Sequence, residues 1–270
     1  MRAVDFKFDG QWLSDAGYIV CTFGTGGTNN VSVGSNIEFQ TVSQHGGQHF
    51  ALTNSEYSEC YTATFNICKD DSKIDDVYIS EYDVRYIMRW LNRRTFHEFI
   101  PIGESGPDRT DLVYYGSFNV SVVEFAGRVI GFELTLTTNS PFAFGSLIEE
   151  TYSVCSAGGS FSLDNLSDEI GATYPEEFIV TCGGSGHLTV TNINENRTTY
   201  IGNCTSDEVI TMDCRHQIIS TSEPNHKIYN DFNFTFPRLY SSFDVTMNEF
   251  TCSLPCSVTI KYRPVRKVAL

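Results

Sequence analysis

Apolar and polar side chains alternate through two long neighbouring segments, and this constrains the fold more than any other feature. Phe118, Val120 and Val122 interleave with Asn119, Ser121 and Val123. After Ala126-Gly127 the pattern resumes, with Phe132, Leu134 and Leu136 set against Glu133, Thr135 and Thr137. A period of two sends every second side chain to the same face of a strand, so the two segments predict a hairpin covered on one side. The pattern recurs in Phe6-Lys7-Phe8 before the turn dipeptide Asp9-Gly10, in Leu188 and Val190, in Phe232, Phe234 and Phe236, and in Val258, Ile260 and Tyr262. Tyr18-Ile19-Val20-Cys21 adds a short apolar run. Several short strands at such spacing predict β-sandwich architecture. The 20 Phe and 14 Tyr against 4 Met agree, because aromatic side chains suit a pleated surface. The expected fold class is all-β in the main.

A chain of 270 residues holds one large or two medium domains. Asn139-Ser140-Pro141-Phe142-Ala143-Phe144-Gly145 interrupts the strand pattern and predicts the boundary. The expected division is 1–140, a linker at 141–146, and 147–270. Within the first part, Gly24 to Asn30 reads as a loop. Gln44 to Cys60 is polar with little periodicity and reads as a long loop or extended hairpin of the kind that contacts partners.

One helix is expected, at about 81–94. Ser80 and Asp83 have the spacing of a capping box, and Val84, Ile87, Met88 and Leu91 form one apolar stripe. Arg93 and Arg94 stand where cations favour a helix C-terminus. The other face is read as Arg85, Arg89 and Trp90. It is either a solvated face or a subunit contact, because an exposed Trp beside Arg is typical of binding hot spots. Arg85, Arg89, Trp90 and Arg93 are the interface candidates.

Charge narrows the partners. With 18 Lys+Arg and 33 Asp+Glu the net charge is −15, which repels phosphate backbones and argues against nucleic-acid recognition. The one dense basic cluster, Lys261, Arg263, Arg266 and Lys267, reads as a solvated terminus or a strand touching a neighbour. No run of about 18 apolar residues exists, so no membrane insertion is expected. The start Met1-Arg2-Ala3-Val4-Asp5-Phe6 has no apolar region typical of a secretory signal. The nine cysteines, odd in number and without Cys-x-x-Cys, accordingly read as reduced thiols packed as small hydrophobes.

Motifs for chemistry are thin. Gly183-Gly184-Ser185-Gly186 falls short of a nucleophile elbow and reads as a turn. The glycine-rich loop at Gly24 lacks a phosphate-reaching Lys. His45 and His49 flank Gly46-Gly47, a loop rather than a helical ligand pair, and Asp70, Asp71, Asp75 and Asp76 lack the order of a calcium loop. Glu149-Glu150 and Glu176-Glu177 supply carboxylates that a glycosidase would need to converge. No catalytic residue, metal site or cofactor is expected.

The order of several weaker motifs resembles siphophage distal tail proteins over nearly the whole chain. They are Phe8-Asp9-Gly10 with Ser14-Asp15-Ala16-Gly17-Tyr18, Ser80-Glu81-Tyr82-Asp83 through Arg89-Trp90-Leu91-Asn92-Arg93, Tyr114-Tyr115-Gly116-Ser117-Phe118, and Gly131-Phe132-Glu133-Leu134 through Asn139-Ser140-Pro141-Phe142-Ala143. Asp207 to Asp213, Tyr229 to Phe234 and Ile260 to Pro264 continue the likeness. The resemblance implies a non-enzymatic tail-tip component, with a ring-forming N-terminal β-sandwich domain carrying one helix and an extended arm, and a galectin-like C-terminal sandwich. It implies a homo-oligomeric ring, commonly a hexamer, between the tail tube with its tape-measure protein and the hub or adhesion apparatus, with receptor-binding proteins as further partners. It places the protein in the virion, after assembly in the host cytoplasm. A lectin reading of the second domain stands as the alternative. Trp12 and Trp90 both lie in the first half, which leaves that domain without tryptophan for sugar stacking, and Pro224-Asn225-His226 is a polar trio that reads more simply as a surface turn.

Overall fold

The computed structural model describes residues 3–23, 36–43, 49–72, 78–103 and 112–267. The chain divides into two compact units, Met1–Phe144 with Arg266–Leu270 and Gly145–Val265. Arg266 and Lys267, near the end of the chain, therefore group with the first unit and not with the second.

The first unit is built on a seven-stranded antiparallel sheet, in the order Gln11–Trp12, Ala3–Phe8, His97–Gly103, Tyr114–Phe125, Arg128–Thr138, Thr62–Lys69 and Tyr18–Cys21. The predicted hairpin is its centre, pairing Phe118 with Leu136, Val120 with Leu134 and Val122 with Phe132. Asp9 and Gly10 take φ of 49° and 83°, and Ala126 and Gly127 take 49° and 73°. Left-handed pairs of this kind reverse a twisted two-strand ribbon without splaying it. The core is aromatic: Phe6, Phe8, Phe99, Tyr114, Phe118 and Phe132 are buried, with the Phe8 and Phe118 ring centroids 5.1 Å apart and nearly perpendicular. Such edge-to-face pairs add to simple burial.

The second unit is a two-sheet sandwich. One sheet has five strands, in the order Ile148–Val154, Cys256–Tyr262, Glu177–Cys182, Val209–Asp213 and Ile218–Thr221. The other has four: Gly159–Asp164, Met247–Cys252, Gly186–Asn192 and Arg197–Cys204. Alternate residues of both sheets face inward and share one core, with Phe178 of one sheet 6.0 Å from Phe250 of the other. The all-β, two-domain reading of the sequence is borne out.

Two expectations need correction. The helix spans Glu81–Leu91 and stops three residues before the expected end. Asn92 leaves helical geometry to donate from Nδ2 to the Phe118 carbonyl at 2.7 Å, and the Arg93 amide donates to Ser117 Oγ. These sheet contacts replace the last intrahelical bonds. The second correction concerns Phe232 to Phe236, which form no strand. A short helix, Ile228–Asp231, precedes them, Phe234 takes a φ of 56°, and Phe232 and Phe236 turn inward together with rings 5.0 Å apart. Side chains hold the segment along Arg197–Cys204: Thr199 Oγ1 donates to the Thr235 carbonyl and Arg197 Nε to the Phe236 carbonyl. With a single bridge from Phe232 to Ile201, that arrangement covers a strand edge without adding a strand to the sheet.

Candidate functional site

The most unusual surface lies on the first unit. Ile37–Ser43 and Phe50–Tyr57 form a separate antiparallel hairpin, in which Ile37 opposes Tyr57, Phe39 opposes Ser55, Thr41 opposes Leu52 and Ser43 opposes Phe50. Opposed residues share a face, so Ile37, Phe39, Phe50 and Leu52 lie together while Glu38, Gln40, Asn54 and Glu56 take the reverse side. Gln40 Nε2 donates to Glu56 Oε1 at 3.3 Å across that polar side. The apolar side is bare, with Phe39 64 %, Phe50 71 % and Leu52 58 % exposed. At the root, the Tyr57 ring meets the Phe142 ring edge-on at 4.6 Å, with Lys267 Nζ 5.8 Å from the Tyr57 centroid. The arm thus begins upstream of the expected Gln44–Cys60 stretch. Gln44, His45 and the glycines beside them lie outside the described residues, as do the Gly24 loop, Asp75 and Asp76.

The helix offers a second surface. Ser80 Oγ accepts the Asp83 amide at 3.3 Å and Asp83 Oδ2 accepts the Ser80 amide at 2.8 Å, completing the expected capping box. Lys69 Nζ, 3.0 Å from Asp83 Oδ2, ties this end to the sheet. Burial of the Asp83 carboxylate raises its pKa, but the Ser80 and Lys69 hydrogen bonds outweigh that and hold it below its ordinary value.

Trp90 is the correction here. It is 6 % exposed, stacks beside Phe6 at 6.1 Å and donates from Nε1 to the Phe8 carbonyl at 3.2 Å. Positions 87, 90 and 91 face the core, so Trp90 shares the buried stripe, and Met88 is the residue turned partly outward. Arg93 folds back, with Nε donating to the Trp90 carbonyl and Nη2 3.5 Å from Asp9 Oδ2. Arg85 and Arg89 are exposed, without an ion-pair partner among the described residues. Tyr82, 78 % exposed, and Tyr86, which accepts a hydrogen bond from Gln11 Nε2, complete their stripe. Spacing by three and four marks all four, and the tyrosines were the missed members of the face.

Three of the four carboxylates considered for hydrolysis pair with basic side chains, and Glu150 accepts a hydrogen bond from the Tyr152 hydroxyl. Lys261 Nζ lies 3.2 Å from Glu177 and 3.8 Å from Glu149, and Arg263 Nε lies 3.2 Å from Glu176. The basic cluster is thus partly a strand neutralised by its neighbours. Gly183 to Ser185 form the turn between two strands, as expected, and Gly186 opens the second. Among the described residues, no three His, Cys, Asp or Glu side chains group as metal ligands, and no helix is long and apolar enough to cross a membrane.

Pro224-Asn225-His226 is a turn, but its histidine points inward. The His226 side chain is 3 % exposed, with Nδ1 2.5 Å from Oε1 of the fully buried Glu208 side chain. Glu208 also accepts the Thr205 amide at 2.8 Å and the Thr221 hydroxyl at 2.5 Å. Burial raises the Glu208 pKa, yet these bonds lower it on balance; burial likewise disfavours His226 protonation, yet Glu208 raises its pKa on balance. The sign of the pH dependence follows. A depressed carboxylate stabilises above its unfolded value, about 4.3, and loses this as pH falls through its folded value; a raised imidazole stabilises below about 6.5 and loses this as pH rises through its folded value. The melting temperature of the second unit is expected to peak between about pH 4.5 and 6.5. Glu208→Gln should flatten that peak, and calorimetry across pH checks it.

Comparison with known proteins places these surfaces in context. Residues 1–140 match a family model described as the phage tail protein N-terminal domain, and residues 142–262 match one described as the phage tail C-terminal domain. No curated protein sequence matches the chain. The fold is similar to the crystal structure of SPP1 Dit (gp 19.1), described as a paradigm of the hub adsorption apparatus in phages infecting Gram-positive bacteria. The TM-score is 0.66 at 14 % identity, covering 97 % of this chain and 99 % of that one. With family models matching residues 1–140 and 142–262 and a similar fold over 97 % of its length, this chain belongs to the phage tail protein family and is a tail component with a Dit-like fold.

Proposed function

We propose that copies of this chain close into a ring at the tail tip, joining the tail tube and its tape-measure protein to the hub or adhesion apparatus. The observation that carries this reading is the arm, whose apolar face holds Phe39, Phe50 and Leu52 more than half exposed. A bare apolar strand pair of this kind invites aggregation unless a partner covers it. The partner most consistent with a repeating particle is the next copy, because a head-to-tail contact closes when its rotation fits. Six copies is the number implied by the likeness to distal tail proteins. The helix stripe of Arg85 and Arg89, with Tyr82 and Tyr86, supplies a second contact, since Arg and Tyr combine large area with fixed donors.

The role is architectural rather than catalytic, and the ring assembles in the host cytoplasm before it enters the virion. Residues 1–140 form the ring-building domain, with which Arg266 and Lys267 group, and residues 147–265, beyond a linker at 141–146, form a galectin-like domain on which receptor-binding proteins dock.

Light scattering of the full chain, alone and with its tail-tube protein, tests the ring. A mass near a closed multiple of 30.3 kDa is expected. Arg85→Glu with Arg89→Glu should shift the population to smaller species while circular dichroism stays unchanged, as both side chains are exposed. A monomer under both conditions overturns the reading.

A further inference from the structure

Four cysteines meet at one end of the second unit. Cys182 ends the strand Glu177–Cys182, Cys204 ends Arg197–Cys204, Cys252 ends Met247–Cys252, and Cys256 opens Cys256–Tyr262. Register puts them at the same end: Cys182 stands opposite Cys256, and Cys204 opposite Gly186, which follows Cys182 across the turn at 183–185. Cys182 and Cys256 belong to the five-stranded sheet, Cys204 and Cys252 to the four-stranded one. The Cys182 and Cys204 thiols share a hydrogen bond, and so do those of Cys252 and Cys256. Each pair therefore reaches from one sheet to the other, where the short turns at 183–185 and 253–255 join them. All four lie in the core, none more than 6 % exposed.

Contact in twos decides the chemistry. A structural metal site needs several ligands converging on one point, and among the described residues no three His, Cys, Asp or Glu side chains group in that way. Two thiols in hydrogen-bond contact need only a small side-chain adjustment to reach S–S bonding distance. A cysteine serving only as a small core hydrophobe packs equally well against Val or Ala, so two thiol–thiol contacts at one end of a sandwich are more than filling. The shared hydrogen bonds, with burial, hold the Cys182 and Cys252 thiols above their ordinary pKa, so both stay protonated and unreactive in the closed sandwich. Their place at strand ends supplies the opening, because strand ends fray before strand centres.

We propose that Cys182 with Cys204 and Cys252 with Cys256 are two dithiol–disulfide sites, reduced where the chain folds and closed by exchange with a small disulfide in an oxidising medium. One cysteine thiolate attacks a sulfur of the small disulfide and expels a thiolate; its neighbour then attacks the mixed disulfide and expels the second. The two cysteines give up two protons and two electrons, and the small disulfide takes both up as two thiols. Closure ties the two sheets together at the end where all four strands terminate, which suits a tail component that leaves the reducing cell interior. The inference needs no second copy and is independent of ring closure.

Mass spectrometry of the full chain tests it. The reduced protein is incubated with oxidised glutathione, both native and while refolding from denaturant, then alkylated and digested. Peptides linked through Cys182–Cys204 and Cys252–Cys256 are expected, the intact protein losing a pair of hydrogens for each bridge, while the exposed Cys60 and Cys155 carry alkyl groups or glutathione. Stabilisation grows with the length of chain enclosed, so the Cys182–Cys204 bridge dominates, and the second unit of the oxidised protein should melt roughly 10 °C above the reduced one. Cys182→Val with Cys204→Val should abolish most of that redox-dependent difference and keep the Cys252–Cys256 link. Three outcomes overturn the proposal: any of the four thiols still free after refolding in oxidised glutathione, links that join them in other combinations, or one melting temperature in both redox states.

Discussion

Phe39→Asp combined with Leu52→Asp is expected to dissolve the ring into monomers while both units melt as in the parent. The two side chains sit on one face of the arm hairpin, 64 % and 58 % exposed, so neither supports its own unit's core. In an assembled ring the same face would be covered, and each carboxylate would be carried into an apolar contact without a partner. Truncating a central anchor costs about 2 kcal/mol or more, and an unpaired buried charge adds to that. A combined loss of at least about 4 kcal/mol per contact raises its dissociation constant roughly a thousandfold. Light scattering at matched concentration reads this directly. A double variant that retains the parent mass would remove the arm from the assembly.

Trp90→Ala has the other large effect, and it falls on folding. Trp90 fills the space between the helix and Phe6 and Phe8, and its indole N–H satisfies the Phe8 carbonyl. Removing it leaves a cavity and takes one donor from the Phe8 carbonyl, for a loss of about 3–5 kcal/mol. In a unit of this size the melting transition should fall by roughly 10 °C, with the transition of the second unit unmoved. Differential scanning calorimetry separates the two. A loss of assembly in Trp90→Ala without a loss of stability would contradict the buried position.

The contrast between these variants shows how the sequence could be read and where it could not. Trp90 and the arm residues were both judged by local pattern. Local pattern assigns Trp90 to the charged face, and only the packing against Phe6 and Phe8 shows that it joins the apolar one. For the arm, the run from Gln44 looked featureless because a bulge near Gln40 breaks the alternation and the apolar half starts earlier, at Ile37. Phe232 to Phe236 failed in the opposite way. Three alternating phenylalanines imitate a strand, yet a left-handed Phe234 and side-chain bonds from Thr199 and Arg197 give another path. Glu208 and His226 are 18 residues apart in sequence, and nothing in either segment announces their contact.

What the sequence determined by itself was everything that depends on short-range periodicity. The central hairpin, the turns at Asp9-Gly10 and Ala126-Gly127, the capped start of the helix and the all-β class follow from side-chain alternation and backbone preference, which act within a few residues. Tertiary structure alone decided which apolar residues find a partner within the chain. Phe39 and Phe118 are the same amino acid in similar strands, but one stands 64 % exposed on a separate hairpin and the other lies at the centre of an aromatic core. Burial is a property of what packs against a face. That is set by contacts between distant segments, and it left the arm's apolar face more than half exposed.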